Sequence, residues 1–119
     1  MINLDTHILV FALAGELRTQ ERKLLRDHAW GISGIVMWEL AKLVQLGRLR
    51  LNLDDRGVRR TLALVYTWPI DLEVAQQSTQ LDFKGDPADE LIAATSIVHE
   101  VPLLTRDRHI RRSKLVPFV

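Results

Sequence analysis

The chain has 119 residues, 47% of them hydrophobic and 26% charged, which suits one globular domain with its own core and argues against disorder. It has no cysteine, which excludes disulfides, thiolate metal sites and thiol nucleophiles and favours a reducing compartment. The net charge is only +1. The apolar run at residues 8–14 is too short to span a bilayer, so we expect a cytoplasmic protein without a membrane segment.

The first half of the chain alternates strand-like and helical patterns. Met1–Leu4 and Trp30–Ser33 are short apolar runs that predict buried strands. Apolar residues spaced three and four positions apart predict four helices, at residues 6–14, 19–28, 34–46 and about 54–66. Gly47 is the stop signal of the third helix.

The second half continues the same alternation. The apolar run Trp68–Leu72 contains Pro69 near its start, so we expect it to form an edge strand. Asp86 and Pro87 predict the N-cap and the first residue of a long helix. Three further elements are a helix at Glu73–Leu81, an inner strand at Val101–Thr105 and a short edge strand at Leu115–Val119. The pattern predicts one α/β domain, residues 1–119, with a mainly parallel sheet of four to five strands.

Four acidic residues occupy positions that this fold would bring together. Asp5 and Asp107 follow the first and the last predicted inner strands, and ligands of parallel sheets bind beyond the carboxyl ends of the strands. Glu39 lies beside the apolar face of its helix, and Asp89 heads the apolar face of the last long helix, whereas Asp86 is the better candidate for a structural cap. Each acid alone also fits a turn or a cap, but together they predict one site.

A site made of carboxylates, without histidine or cysteine partners, suits Mg²⁺, with Mn²⁺ as a substitute. One or two such ions can orient a water, lower its pKa and neutralise charge that develops on a phosphodiester. The four histidines show no paired ligand spacing. The sequence therefore predicts metal-dependent phosphodiester hydrolysis, with the metal ligands and catalytic residues Asp5, Glu39, Asp89 and Asp107.

Four segments resemble, in order and spacing, the motifs of the PIN-domain family. They are Ile2–Thr6, Ser33–Leu40 with Gly47–Leu49, Asp86–Thr95, and Pro102–Asp107. Any one of these motifs is weak evidence, but four in the right order are specific, and they cover nearly the whole chain. The compact length further resembles the VapC-like toxins of type II toxin–antitoxin pairs.

This resemblance implies a three-layer α/β/α sandwich that cleaves RNA with Mg²⁺. It also implies a homodimer and a small cognate antitoxin, with which the chain would form a toxin–antitoxin hetero-oligomer. The family's acids correspond to Asp5, Glu39, Asp89 and Asp107, and a hydroxyl that supports the metal site corresponds to Thr105. Many members of the family carry arginine where this chain has Glu90, which leaves the substrate contacts near Asp89 open.

Other protein classes fit less well. A haloacid-dehalogenase-type phosphatase needs a second aspartate two residues after Asp5, where this chain has His7. A receiver domain needs a phospho-accepting aspartate at the end of a mid-chain strand, where only the helix start at Asp54-Asp55 is found. The alternative that stays open is a non-catalytic PIN-like scaffold that binds RNA or a partner, although retention of all four acids argues against it.

The segment 106–114 is strongly basic. Its positive charges could simply be solvated in a loop or helix, or they could form a rim that contacts phosphates without reading bases. The second reading predicts four substrate-binding residues, Arg106, Arg108, Arg111 and Arg112.

Overall fold

A computed structural model describes all of residues 1–119 and has a four-stranded sheet at its centre. The strands are β1 (Ile2–Leu4), β2 (Trp30–Ser33), β3 (Tyr66–Trp68) and β4 (Leu103–Leu104). All the strand pairs are parallel, and the order across the sheet is β3-β2-β1-β4. The predicted parallel sheet is confirmed, with four strands.

Helices flank the sheet in the α/β/α arrangement that the resemblance implied. They are α1 (Thr6–Ala14), α2 (Thr19–Asp27), α3 (Gly34–Gln45), α4 (Arg56–Leu64), α5 (Leu72–Ser78), α6 (Pro87–His99) and α7 (Arg108–Arg111). The helices α4 and α5 end earlier than predicted, and Tyr66, expected at the end of α4, instead begins β3. None of these helices has the length and the apolar character that a membrane span requires.

Local sequence signals set the helix ends that shape the site. The side chain of Asp5 caps α1, and the hydroxyl of Ser33 caps α3. Gly15 ends α1 with a φ of 73°, a left-handed conformation that a residue without Cβ adopts at little cost. Pro87 is the first residue of α6, where its missing N–H removes no intrahelical bond.

The core joins the sheet to α1, α3 and α6 through buried apolar side chains that include Leu4, Ile8, Leu9, Ile32, Val36, Ile92 and Leu103. Asn3, in the middle of β1, is also completely buried. Its Nδ2 donates to the backbone oxygen of Ile92 at 3.1 Å and to Oγ of Ser96 at 2.9 Å. Because α6 also carries Asp89, these two bonds fix the position of that acid relative to β1.

The position of the third strand was predicted wrongly. β3 covers Tyr66–Trp68 and not Trp68–Leu72, and its register places Tyr66 beside Gly31 of β2. Pro69 follows the last residue of the strand, and since proline has no N–H to donate, the ladder stops there. β3 pairs only with β2, which confirms the predicted edge position.

The C-terminal strands are shorter than predicted. β4 comprises two residues in place of Val101–Thr105. Pro102 has no N–H to donate to the ladder, which accounts for the late start of the strand. The segment Leu115–Val119 forms a single parallel bridge, from Phe118 to Leu103, and not a full strand. This bridge still lies on the outer side of β4, where an edge strand was expected.

Candidate active site

The parallel register brings the ends of β1 and β4 together. Leu4 pairs with Leu104, and the backbone N–H of Asp5 donates to the oxygen of Leu104 at 3.1 Å. The next residue after Leu104 is Thr105, whose hydroxyl donates to Oδ2 of Asp5 at 2.6 Å. The two strand ends are therefore joined through side chains as well as through the sheet.

Asp5 is a buried carboxylate, with only 3% of its surface exposed. Its Oδ1 accepts the backbone N–H of Thr6 at 2.8 Å, which is the N-cap bond of α1. Burial raises the pKa of Asp5 above its ordinary value and the nearby carboxylate of Asp107 adds to the rise, while the bond from Thr105 and the proximity of His7 oppose it. The fold thus holds a carboxylate in a place that disfavours its negative charge.

Glu39 reaches the same region from α3. Its Oε1 accepts the hydroxyl of Thr6 at 2.5 Å, although the two residues lie 33 positions apart. Since Thr6 directly follows Asp5, this bond ties the half-buried Glu39 to the start of α1. No pattern along the sequence indicates this long-range role of Thr6.

Asp107 follows Thr105 after one residue and caps α7. Its Oδ1 accepts the backbone N–H groups of His109 and Ile110, at 2.8 and 3.1 Å. Its own N–H donates to the hydroxyl of Thr105 at 3.0 Å. The Thr105 hydroxyl therefore lies between Asp5 and Asp107 and fixes the backbone that carries both acids.

Asp89 is the third residue of α6 and is half-buried. Burial raises its pKa to about 6, and the carboxylates of Asp5, Asp107, Asp86 and Glu39 contribute to the rise. Asp86 occupies the predicted N-cap position, but its side chain makes no capping hydrogen bond. All four acids singled out in the sequence thus lie in one electrostatic neighbourhood, together with Asp86.

The side chains of this acidic group repel one another and remain apart. No three acidic or histidine side chains converge closely enough to hold an ion in this arrangement. The donors present are carboxylate and hydroxyl oxygens, the kind that Mg²⁺ and Mn²⁺ prefer. The positive charge of a divalent cation would offset the repulsion among these carboxylates.

The four arginines expected to contact substrate lie in three different environments. Arg106 forms a two-pronged ion pair with Glu21 of α2, at 2.6 and 2.9 Å. Arg108 and Arg111 belong to α7 and line an open cleft that also contains Thr105. Arg112 is the exposed C-cap residue of α7 and does not line this cleft. Sequence reasoning missed Glu21, which lies 85 positions from Arg106 and looks like any acid in the first turn of a helix.

Comparison with known proteins gives one family. The PIN domain family model matches residues 2–114. The chain is 39% identical over 114 residues to Ribonuclease VapC22 of Mycobacterium tuberculosis, covering 91% of this chain and 88% of that protein.

Two solved structures share the fold at lower sequence identity. VapBC2 from Rickettsia felis, bound to a promoter DNA fragment, superposes with a TM-score of 0.75 at 19% identity and covers 100% of this chain and 98% of its own. FitAcB from Neisseria gonorrhoeae superposes with a TM-score of 0.71 at 21% identity and covers 100% and 97%. At these identities the likeness establishes the fold alone.

Proposed function

The chain belongs to the PIN-domain family, in its VapC-like branch, and on that basis we propose that it is a metal-dependent endoribonuclease that serves as the toxin of a type II toxin–antitoxin pair. The observation that carries the proposal is the acidic group at the ends of β1 and β4. Asp89 is influenced by the charges of Asp5, Asp107 and Glu39, three acids that come from separate parts of the chain. A fold that only needed caps and turns would not gather these charges around a half-buried carboxylate.

The residues fit Mg²⁺ or Mn²⁺. Their donors are all oxygens, and the raised pKa values of Asp5 and Asp89 reflect burial and repulsion that a cation would offset. In the proposal the ion is held by Asp5, Glu39, Asp89 and Asp107, with Thr105 in support. When bound, it supplies positive charge beside the phosphodiester and a water of lowered pKa for hydrolysis.

The chain itself contributes fixed positions for three of the ligands. Asp5 is held by Thr105 and the start of α1, and Asp107 is held by two backbone N–H groups of α7. Glu39 is held by Thr6. The side chain of Asp89 makes no hydrogen bond, so it is the acid whose position the chain fixes least.

The partners in this proposal are an RNA substrate, a small antitoxin protein and a second copy of the chain, all in the cytoplasm. A solved toxin–antitoxin complex from Klebsiella pneumoniae shares the fold, with a TM-score of 0.68 at 22% identity over 90% of this chain and 87% of that chain. This likeness supports a cognate antitoxin for this chain and a toxin–antitoxin hetero-oligomer. The relative from Mycobacterium tuberculosis is named a ribonuclease, which supports RNA as the substrate.

The proposal is tested with purified protein and a labelled single-stranded RNA. We expect no cleavage after treatment with EDTA, and recovery of cleavage when Mg²⁺ or Mn²⁺ is added in excess. Expression alone should arrest growth of the host, and co-expression with the protein encoded next to it should restore growth. Cleavage that is unaffected by EDTA would contradict metal dependence, and harmless expression would contradict the toxin role.

A non-catalytic scaffold that binds RNA or a partner is the second candidate. One observation favours it, since no three acids converge closely enough to hold an ion without movement. The same assay separates the two functions. A scaffold would bind the RNA and leave it intact at every concentration of Mg²⁺ and Mn²⁺.

A further inference from the structure

A cleft of about 590 Å³ opens between the start of α2, the end of β4 and α7. Four arginines line it, Arg18 from the start of α2, Arg106 after β4, and Arg108 and Arg111 from α7. Glu21 is its only acidic side chain. The cleft is therefore cationic, although the whole chain has a net charge of only +1.

One of the four arginines is already neutralised. Arg106 pairs with both carboxylate oxygens of Glu21, and its guanidinium lies 4.0 Å from the centre of the Phe11 ring. The pair is largely shielded, with 24% and 9% of the two side chains exposed. Arg106 and Glu21 therefore form a fixed wall of the cleft, and Arg106 has little capacity left for a ligand.

None of the other three arginines forms an ion pair. Arg18 and Arg108 take part in none of the three ion pairs of the chain, and their side chains make no hydrogen bond. Arg111 donates one N–H to the backbone oxygen of Thr105 at 3.3 Å and lies over Phe118, which orients its guanidinium and leaves its remaining N–H groups free. Three guanidinium groups without an ion pair concentrate positive potential in one cleft. A guanidinium can also bind two oxygens of one phosphate at the same time.

The cleft borders the acidic site. Thr105 lines the cleft while its hydroxyl donates to Asp5. Asp107 caps α7, the helix that carries Arg108 and Arg111. An extended polyanion bound in the cleft would therefore reach Asp5 and Asp107 of the acidic site. A short acidic peptide would gain nothing from that proximity.

We propose that Arg18, Arg108 and Arg111 bind backbone phosphates of single-stranded RNA next to the bond that is cleaved. That this RNA is the substrate rests on the function proposed above, whereas phosphate binding rests on the cleft itself. Arg108 and Arg111 were already predicted from the sequence to bind the substrate, and the proposal adds Arg18 to them. Arg106 becomes a positioning residue through its pair with Glu21.

The test measures RNA binding separately from cleavage. Affinity of a short, fluorescently labelled single-stranded RNA is followed by anisotropy in EDTA over a range of salt concentrations. Replacing all three arginines by alanine should reduce the slope of log affinity against log salt by about 2, since each phosphate contact on a single strand contributes about 0.7. The matched triple lysine variant should keep most of the slope because it keeps the charges.

The matched control is Arg60→Ala, which removes an exposed arginine of α4 that lies outside the cleft and has no ion pair. It should leave the slope unchanged. Circular dichroism checks that each variant is folded. If the triple alanine variant does not fold, the single variants Arg18→Ala and Arg108→Ala are measured in its place. In Mg²⁺, the alanine variants of the cleft should have a higher KM for RNA and a kcat within a few-fold of wild type.

The measurements distinguish failure of the cleft proposal from failure of the nuclease proposal. If wild type cleaves RNA and the alanine variants keep its salt slope and KM, the cleft proposal is overturned and the nuclease stands. If wild type does not cleave but the alanine variants lose the slope, the cleft proposal stands alone. Tight binding of a poly-glutamate peptide in the cleft, with no binding of RNA, would make it a protein-binding site and overturn the proposal.

Discussion

At the scale of single residues, Asp89 differs from the other three acids of the site. Asp5, Glu39 and Asp107 each accept at least one hydrogen bond from a backbone N–H or a hydroxyl, whereas the carboxylate of Asp89 accepts none. Burial and four neighbouring carboxylates raise its pKa to about 6. Ionised Asp89 therefore destabilises the folded chain without metal, and this strain is available to be relieved by a bound ligand.

Asp89→Asn should make the metal-free protein more stable at neutral pH. The folded state favours protonated Asp89, so wild-type stability should fall as pH rises from the ordinary value of 3.8 through about 6. Asparagine removes that loss, and we expect a gain on the order of 1 kcal/mol at pH 7.5 after allowance for solvent screening. Thermal melts in EDTA should show the gain at pH 7.5 and its disappearance at pH 3.5, and an equal gain at both pH values would contradict the electrostatic cause.

Glu100 is disfavoured for a different reason, because its backbone conformation is one that residues with a Cβ rarely adopt. It ends α6 with a φ of 54°, and it is the only residue other than glycine with a positive φ. Glycine has no Cβ to clash in this left-handed conformation, so Glu100→Gly should stabilise the fold by about 0.5–1 kcal/mol. Urea unfolding would measure the change. The control Glu100→Ala keeps the Cβ and should give no gain, so an equal gain from alanine would rule out backbone strain as the cause.

At the scale of elements, the site depends on contacts between segments that are distant in sequence. Thr105 connects the ends of β1 and β4, and Thr6 connects α1 to α3. The pair of Arg106 and Glu21 attaches α2 to the loop that carries Asp107. Each contact is made by a residue one or two positions from an acid of the site, so the packing of these elements sets the geometry of the acids.

Breaking the pair of Arg106 and Glu21 from one side should be more harmful than removing both partners. Arg106→Ala leaves the nearly buried carboxylate of Glu21 without its cation, and we expect a loss of about 1–3 kcal/mol in the free energy of unfolding. Adding Glu21→Gln should recover part of that loss. Urea unfolding of both single variants and the double variant forms the cycle, and strictly additive losses would show that the pair does not couple α2 to the loop.

How far the sequence predicts the structure depends on whether a signal is local. β2 was predicted to the residue, and α6 begins at Pro87 as expected, because caps, prolines and apolar runs act within a few positions. The prediction misplaces β3 because it puts Pro69 inside the strand, near its start. In the structure Pro69 follows the last residue of the strand. The pairing of Arg106 with Glu21 could not be predicted, since nothing local distinguishes it from other possible partners.

At the scale of the whole molecule, the order of the sheet brings the acids together. β1 lies between β2 and β4, so the residues after β1 and β4 meet at one edge, and α3, which follows β2, brings Glu39 to the same region. The cationic cleft adjoins this acidic group through Thr105. A chain with almost no net charge thus separates its charges into two neighbouring surfaces, which suits a polyanionic substrate that is cleaved with the help of metal.

The most direct test of the central claim is the single-turnover rate of RNA cleavage in Mg²⁺ for isosteric variants of the acids. Each of Asp5→Asn, Glu39→Gln, Asp89→Asn and Asp107→Asn should remain folded and lose about a thousandfold or more in rate, because each is proposed to hold the same ion. The double variant Asp5→Asn/Asp107→Asn should lose little more than either single variant. The matched control Glu73→Gln, at an exposed acid of α5, should cleave at the wild-type rate. A folded Asp5→Asn protein that cleaves RNA at nearly the wild-type rate would contradict the assignment of the site.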